Sequence, residues 1–239
     1  MFPSRDAFRL GFLAAAAASA ACGRDATPPI VKDFTPVTIT RSITDTLRAS
    51  VAMPVGQLTV IVKNAEGQPI DTAGVTFAIL TGGGSLTTSS TRTDGLGRAS
   101  TVWTLGTRAS VQTVTATVGT LAPAVFVAVA TPRGGQYLTK IAGDGQSATL
   151  GTTVFTNPSV RVTDVYGNPV PNWLVFYFPY NGGLVNNTAL VGVHVLTDTA
   201  GIASVTWRLG PNPGSDTLIV QPNGSLERAS FVAIGQAGF

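Results

Sequence analysis

The chain of 239 residues contains one cysteine and one histidine. A single Cys excludes an internal disulfide framework and a cysteine-based zinc site, and a single His excludes a multi-histidine metal centre. Charge is scarce as well: Asp, Glu, Lys and Arg make up 11% of the chain, against roughly 25% in an average soluble protein. The pI of about 9.4 reflects a net charge of +3 on few titratable groups. The 15 basic residues are scattered singly, so the basic face that neutralises several phosphates together is missing, and nucleic acid is not an expected partner. In place of charge stand 27 glycines, 15 prolines, 33 threonines and a hydrophobic content of 44%. That content is too high for a disordered chain. A Thr-, Val- and Gly-rich composition with little Glu and Lys favours strands over helices.

Met1 to Arg9 carries Arg5 and Arg9, Leu10 to Ala18 is a short apolar run, and Ser19-Ala20-Ala21 precedes Cys22-Gly23. Charged, apolar and small residues in that order make a secretory signal peptide, too short for a membrane-spanning helix. The cysteine directly after the small residues resembles the lipobox of bacterial lipoproteins, with Ser19 where the usual pattern has Leu. The resemblance implies that residues 1–21 are removed, that Cys22 is lipidated, and that the acyl chains anchor the protein to a membrane. Gly23 after the Cys is compatible with sorting to the bacterial outer membrane or cell surface. The alternative is ordinary secretion with cleavage at Ala18-Ser19-Ala20 and an incidental free Cys. Residues 22–36, with Pro28-Pro29, read as a linker between the anchor and the first domain.

The remainder is one unit written twice. Asn64, Gly67-Gln68-Pro69 and Val75 answer Asp164, Gly167-Asn168-Pro169 and Val175 at an offset of 100. Thr93-Asp94-Gly95-Leu96-Gly97 and Trp103-Thr104-Leu105-Gly106 answer Thr197-Asp198-Thr199-Ala200-Gly201 and Trp207-Arg208-Leu209-Gly210 at 104, and Phe126 answers Phe231 at 105. Matches kept in order with drift only at loops indicate tandem duplication, giving domains at residues 37–132 and 135–239. In the second unit, strands are expected near Gln146–Leu150, Ser159–Thr163, Leu174–Phe178, Val193–Leu196, Ile202–Arg208, Thr217–Val220 and Ala229–Ile234, divided by Gly-, Asn- and Pro-rich turns. Seven short strands with period-2 alternation, as in Thr113-Val114-Thr115-Ala116-Thr117-Val118, predict an all-β fold of two tandem immunoglobulin-like β-sandwiches. Trp103 and Trp207 are expected to anchor the two cores.

The run Val160-Arg161-Val162-Thr163-Asp164-Val165-Tyr166-Gly167-Asn168-Pro169-Val170 continues into V-x-F, a Gly-rich turn, T-D-x-x-G-x-A and W-x-L-G. This series resembles bacterial immunoglobulin-like domains of the invasin/intimin group 1 type. Gly143-Asp144-Gly145-Gln146 resembles that family's opening G-x-x-Q segment, from which the first unit departs with Thr44-Asp45-Thr46-Leu47. The resemblance covers roughly residues 35–239. It implies modules that stack as stalks on surface proteins, with binding usually left to a separate tip domain; none is expected after Phe239.

Residues suited to catalysis are sparse. His194 is expected on a strand surface, and the first unit has no equivalent base. Asp94 and Asp198 suit Asx turns better than calcium, because the dense D-x-D-x-D spacing of calcium loops is absent. The Gly-rich stretches precede no helix and no Lys-Ser/Thr, so they are not phosphate cradles, and G-x-S-x-G does not occur. No cofactor, metal site or catalytic residue is expected.

One segment stands apart. In repeat register, outward Thr76, Ala78 and Leu80 become Phe176, Phe178 and Tyr180, while inward Val75, Phe77 and Ile79 become Val175, Tyr177 and Pro179. With Leu174, the outward residues form an apolar, aromatic stripe of the kind that marks an interface. A one-residue slip would turn the stripe inward, and the segment Val232–Phe239 offers a possible cover. The expected function is therefore a non-catalytic, lipid-anchored spacer or adhesion and interaction module with a protein or glycan partner on the cell surface. The alternative is a carbohydrate- or polymer-binding module using Phe176, Phe178 and Tyr180.

Overall fold

Alternating Val and Thr at period 2 give each strand one face to bury, and the chain has strands wherever that pattern runs. A computed structural model describes residues 33–188 and 192–238; the leader, Cys22 and the linker up to residue 32 lie outside the described residues. All regular structure in it is β. The first repeat supplies β1 (Thr38–Arg41), β2 (Leu47–Ser50), β3 (Pro54–Lys63), β4 (Gly74–Thr81), β5 (Gly84–Leu86), β6 (Ser90–Arg92), β7 (Arg98–Leu105), β8 (Val111–Thr117) and β9 (Ala124–Thr131). They form two sheets, ordered β1-β3-β7-β5 and β2-β9-β8-β4-β6.

The second repeat supplies β10 (Tyr137–Ala142), β11 (Gln146–Thr149), β12 (Ser159–Thr163), β13 (Leu174–Pro179), β14 (Leu184–Val185), β15 (Val193–Leu196), β16 (Ile202–Ser204), β17 (Trp207–Arg208), β18 (Gly214–Pro222) and β19 (Ala229–Gln236). The five-stranded sheet recurs as β11-β19-β18-β13-β15, while the opposite layer is divided into β10-β12-β16 and β14-β17. The division falls within the single strand expected over Ile202–Arg208. There Val205 N–H bonds the Pro158 carbonyl, and Thr206 N–H bonds Asn186 Oδ1 at 2.9 Å, so neither continues the ladder.

In each repeat the opening strand switches sheets. β1 and β10 pair antiparallel with β3 and β12, whereas β2 and β11 cross over and pair parallel with the closing strands β9 and β19. Gln146 fixes the crossover in the second repeat: Nε2 donates to the carbonyls of Gly143 and Thr156, and Oε1 accepts from Thr156 N–H.

Between the layers lie two cores of matched composition. Val60, Val62, Val75, Phe77, Trp103, Val114 and Phe126 fill the first, and Val160, Val162, Val175, Tyr177, Trp207, Leu218 and Phe231 the second. Both tryptophans are fully buried, and their indole N–H groups meet no acceptor among the described residues. Burial of this kind is what holds a sandwich lacking a Cys–Cys bridge.

Candidate interaction surface

The T-D-x-x-G signature positions β13. Thr197 Oγ1 donates to the Val170 carbonyl at 2.6 Å and accepts from Trp173 N–H at 2.8 Å, directly before Leu174. Thr93 makes the same pair of bonds to Ile70 and Ala73 in the first repeat. Asp198 Oδ1 closes its own turn by accepting from Ala200 and Ile202 N–H, as Asp94 does from Leu96 and Arg98. These carboxylates are turn formers. Gly201 adopts φ +73°, and a Cβ there would stand 2.5 Å from the Val162 carbonyl oxygen; at Gly97 the corresponding values are +72° and 2.6 Å to Val62. Any side chain at either position clashes with backbone.

With β13 so placed, Val175 and Tyr177 enter the core, and the Tyr177 hydroxyl donates to the Ala203 carbonyl at 2.9 Å. Burial pushes this phenol far above its ordinary pKa. Phe176 and Phe178 stand on the opposite face, half-buried, with ring centroids 6.3 Å apart and planes 21° apart. The chain has not slipped by one residue. Nor does the closing segment cross the stripe as far as Gln236, because β19 is a strand of the same sheet, separated from β13 by β18. Cross-strand register places Leu174 opposite Leu196, Phe176 opposite His194 and Phe178 opposite Ile219. His194 is exposed, 6.1 Å from the Phe176 ring. Tyr180 is 55% exposed at the end of the row. Gly192 lies at one edge, where a Cβ would stand 3.0 Å from the Phe178 ring.

The same lattice positions in the first sandwich carry Arg92, Ser90, Thr76, Ala78 and Thr115 where the second has Leu196, His194, Phe176, Phe178 and Ile219. The contrast therefore spans three adjacent strands.

A second cluster, not anticipated from the sequence, joins the two sandwiches. Asn168 is buried; its Nδ2 donates to the Thr107 carbonyl at 2.8 Å, and its Oδ1 accepts from Ala109 N–H at 2.8 Å. The same Nδ2 bonds the Asp164 carboxylate, which also accepts from the backbone N–H groups of Arg133, Tyr166 and Asn168. Burial pushes the Asp164 carboxyl up, but these hydrogen bonds outweigh it and hold the pKa below the usual carboxylate range. Arg133 extends its side chain back to the first sandwich, donating to the Val51 carbonyl at 3.2 Å while its guanidinium lies 5.7 Å from the Tyr166 ring centroid. The signal present in the sequence was the change from Gln68 to Asn168 inside an otherwise repeated G-x-P turn.

The depression lined by Phe34, Ile70, Asp71, Thr72, Val118 and Leu121 holds Asp71 as its one titratable side chain. Among the described residues, no group of three or more His, Cys, Asp and Glu side chains converges.

The fold is a pair of immunoglobulin-like β-sandwiches of the kind seen in solved intimin/invasin-type structures. Among solved structures, Yersinia pseudotuberculosis InvD matches with 14% identity over 84% of this chain and 57% of its own, at a TM-score of 0.52. The Escherichia coli adhesin FdeC matches with 17% identity over 83% of this chain and 64% of its own, at 0.49. The Y. pseudotuberculosis adhesin InvE matches with 15% identity over 82% and 58%, at 0.36. The chain thus spans less than two thirds of each of these three. At such identities the likeness is one of fold. No protein-family model and no curated protein matches the chain.

Proposed function

We propose that this chain is a non-catalytic interaction module of the bacterial envelope. In this reading it is tethered by lipid on Cys22 and binds a protein partner through the outer face of the β13–β15–β18 region. The observation that carries the binding role is the replacement of Thr76, Ala78, Ser90, Arg92 and Thr115 by Phe176, Phe178, His194, Leu196 and Ile219 on one shared lattice. A partly exposed aromatic and aliphatic face disfavours a free, fully hydrated surface and favours association. Leu174, Leu196 and Ile219 add aliphatic groups beside the rings, while His194 and Gln221 flank Phe176 directly on the two neighbouring strands. This mix of rings, aliphatic groups and flanking polar side chains matches the aromatic-rich core and polar rim of a protein interface. The small-residue leader ending at Cys22 supports the anchor.

The test is site-specific photocrosslinking in intact envelopes, with the photoreactive residue at Tyr180 or at Leu80, its counterpart in the first sandwich. Protein adducts from position 180, lost in Phe176→Ser/Phe178→Ser and rare from position 80, are the expected result. Equal labelling from both positions sinks the reading, and glycan binding lost in the double variant without protein adducts replaces it with the carbohydrate one. For the anchor, Cys22→Ala is expected to move the protein out of the membrane fraction, and an unchanged fraction removes the lipid from the account.

A further inference from the structure

The joint between the sandwiches has two halves. The acceptor half is the Asp164–Asn168 turn, whose Asn168 takes Ala109 N–H and gives its own N–H to the Thr107 carbonyl. The donor half is the Gly106–Ala109 loop, shaped by buried Gln112, whose Oε1 accepts from Gly106 N–H and whose Nε2 donates to the Arg108 carbonyl at 2.9 Å. In a tandem duplication, both halves are inherited by both repeats. A head-to-tail contact of this kind is heterologous, so copies of the chain stack without limit if each free pole keeps its half.

Both outer poles lack it. At the leading pole of the first sandwich, Gln68 occupies the position of Asn168 and is exposed. One methylene longer, its amide cannot sit where Asn168 bonds both loop groups and Asp164 at once; the Asp164 position is itself occupied by Asn64, which is not an anion. At the far pole of the second sandwich, Pro211, Asn212 and Pro213 occupy the positions of Thr107, Arg108 and Ala109. Pro213 has no N–H to give. Asp216 replaces Gln112; its carboxylate accepts from Gly210 N–H at 2.6 Å but has no donor with which to hold the Asn212 carbonyl. Gly238 stands in the register of Arg133, without the side chain that reaches back across the joint.

We propose that the joint is a single-use connector: Asn168 and Ala109 lock the two sandwiches in one order, and Gln68 and Pro213 bar the outer poles from repeating the contact. The chain therefore does not polymerise end to end, and one copy presents one aromatic face. This inference does not depend on what that face binds.

The test transplants the blocking residues into the joint. Nitroxides on Thr76→Cys and Ser230→Cys, in the full chain carrying Cys22→Ala, report the distance distribution between the sandwiches. A narrow distribution is expected for the parent, and a width at least doubled for Asn168→Gln and for Ala109→Pro, with thermal unfolding verifying that both sandwiches remain folded. If Ala109→Pro disturbs its own loop, Asn168→Gln decides alone. Pro213→Ala, far from the joint, is expected to leave the width unchanged, and sedimentation of the parent is expected to give a single monomeric species. Parent-like widths in Asn168→Gln, or end-to-end association of the parent chain, overturn the proposal.

Discussion

The two sandwiches agree inside and differ outside. Val75, Phe77, Trp103, Val114 and Phe126 find their counterparts in Val175, Tyr177, Trp207, Leu218 and Phe231, all buried. The T-D-x-x-G turns carry equivalent hydrogen bonds in both. On the outer sheet face, by contrast, polar and small residues give way to rings and aliphatic chains across three strands. Close packing punishes most changes of shape in a core, whereas an outer face is free to diverge without refolding. The difference separates what the fold requires from what distinguishes the second sandwich. The change from Phe77 to Tyr177 shows how strict the inner requirement is: the added hydroxyl is matched by the Ala203 carbonyl.

The comparison can be attacked first at its shared part. Trp103→Ala and Trp207→Ala are expected to cost about 3–5 kcal/mol each, in matching amounts, read by denaturant unfolding with each change assigned to its own sandwich. A cost confined to one repeat breaks the claim of equivalent cores. Gly97→Ala and Gly201→Ala follow at about 1–3 kcal/mol, since each forces a side chain into a positive-φ site against a carbonyl. Thr93→Val and Thr197→Val leave a partly buried N–H and a buried carbonyl unpaired, for an expected loss of about 1–3 kcal/mol in either repeat.

Smaller effects sharpen the divergent part. Phe176→Ser/Phe178→Ser is expected to cost about 2 kcal/mol because both rings are half-buried, while abolishing partner capture; Thr76→Ser/Ala78→Ser is expected to leave both properties unchanged. Acid should also tell the repeats apart. Asp164 and Asp144 have lowered pKa values, Asp164 through hydrogen bonds that outweigh its burial, Asp144 chiefly through Lys140 and then Val232 N–H. A lowered folded-state pKa contributes stability that is complete above the unfolded value and is lost as pH falls through the folded one. Melting temperatures should therefore decline below about pH 4, in part through weakening of the joint, and Asp164→Asn should flatten that decline. In the first sandwich, neutral Asn64 stands at the corresponding position and contributes no such step.

Much of this was legible in the sequence, for physical reasons. Ser159–Thr163 and Leu174–Pro179 bury alternate residues and Val193–Leu196 half-buries them, between turn-forming Gly, Asn and Pro, and their positions follow from that pattern. The repeat register then placed Phe176 and Phe178 on the outer face, where they stand. β14 was not legible because two residues are too few to show a period. β10 was not because its side chains are mostly exposed and carry no alternation in hydrophobicity. Asn168 was hidden by sufficiency: a Gly-Asn-Pro turn is explained by its own backbone needs, so nothing local announces that the amide also bonds Thr107 and Ala109, some 60 residues earlier.

The sheet-switching opening strand has a mechanical consequence. In each sandwich β2 or β11, which follows the opening strand β1 or β10, lies parallel to the closing strand β9 or β19 and is bonded along its length. Tension applied between the entry and the exit of such a sandwich slides the two strands past each other, and all the ladder bonds share the load. Antiparallel terminal strands would instead peel apart one bond at a time. Under the proposed tether at Cys22 and a partner on the second sandwich, a pull on the chain would load the first sandwich through the shear geometry of β2 and β9.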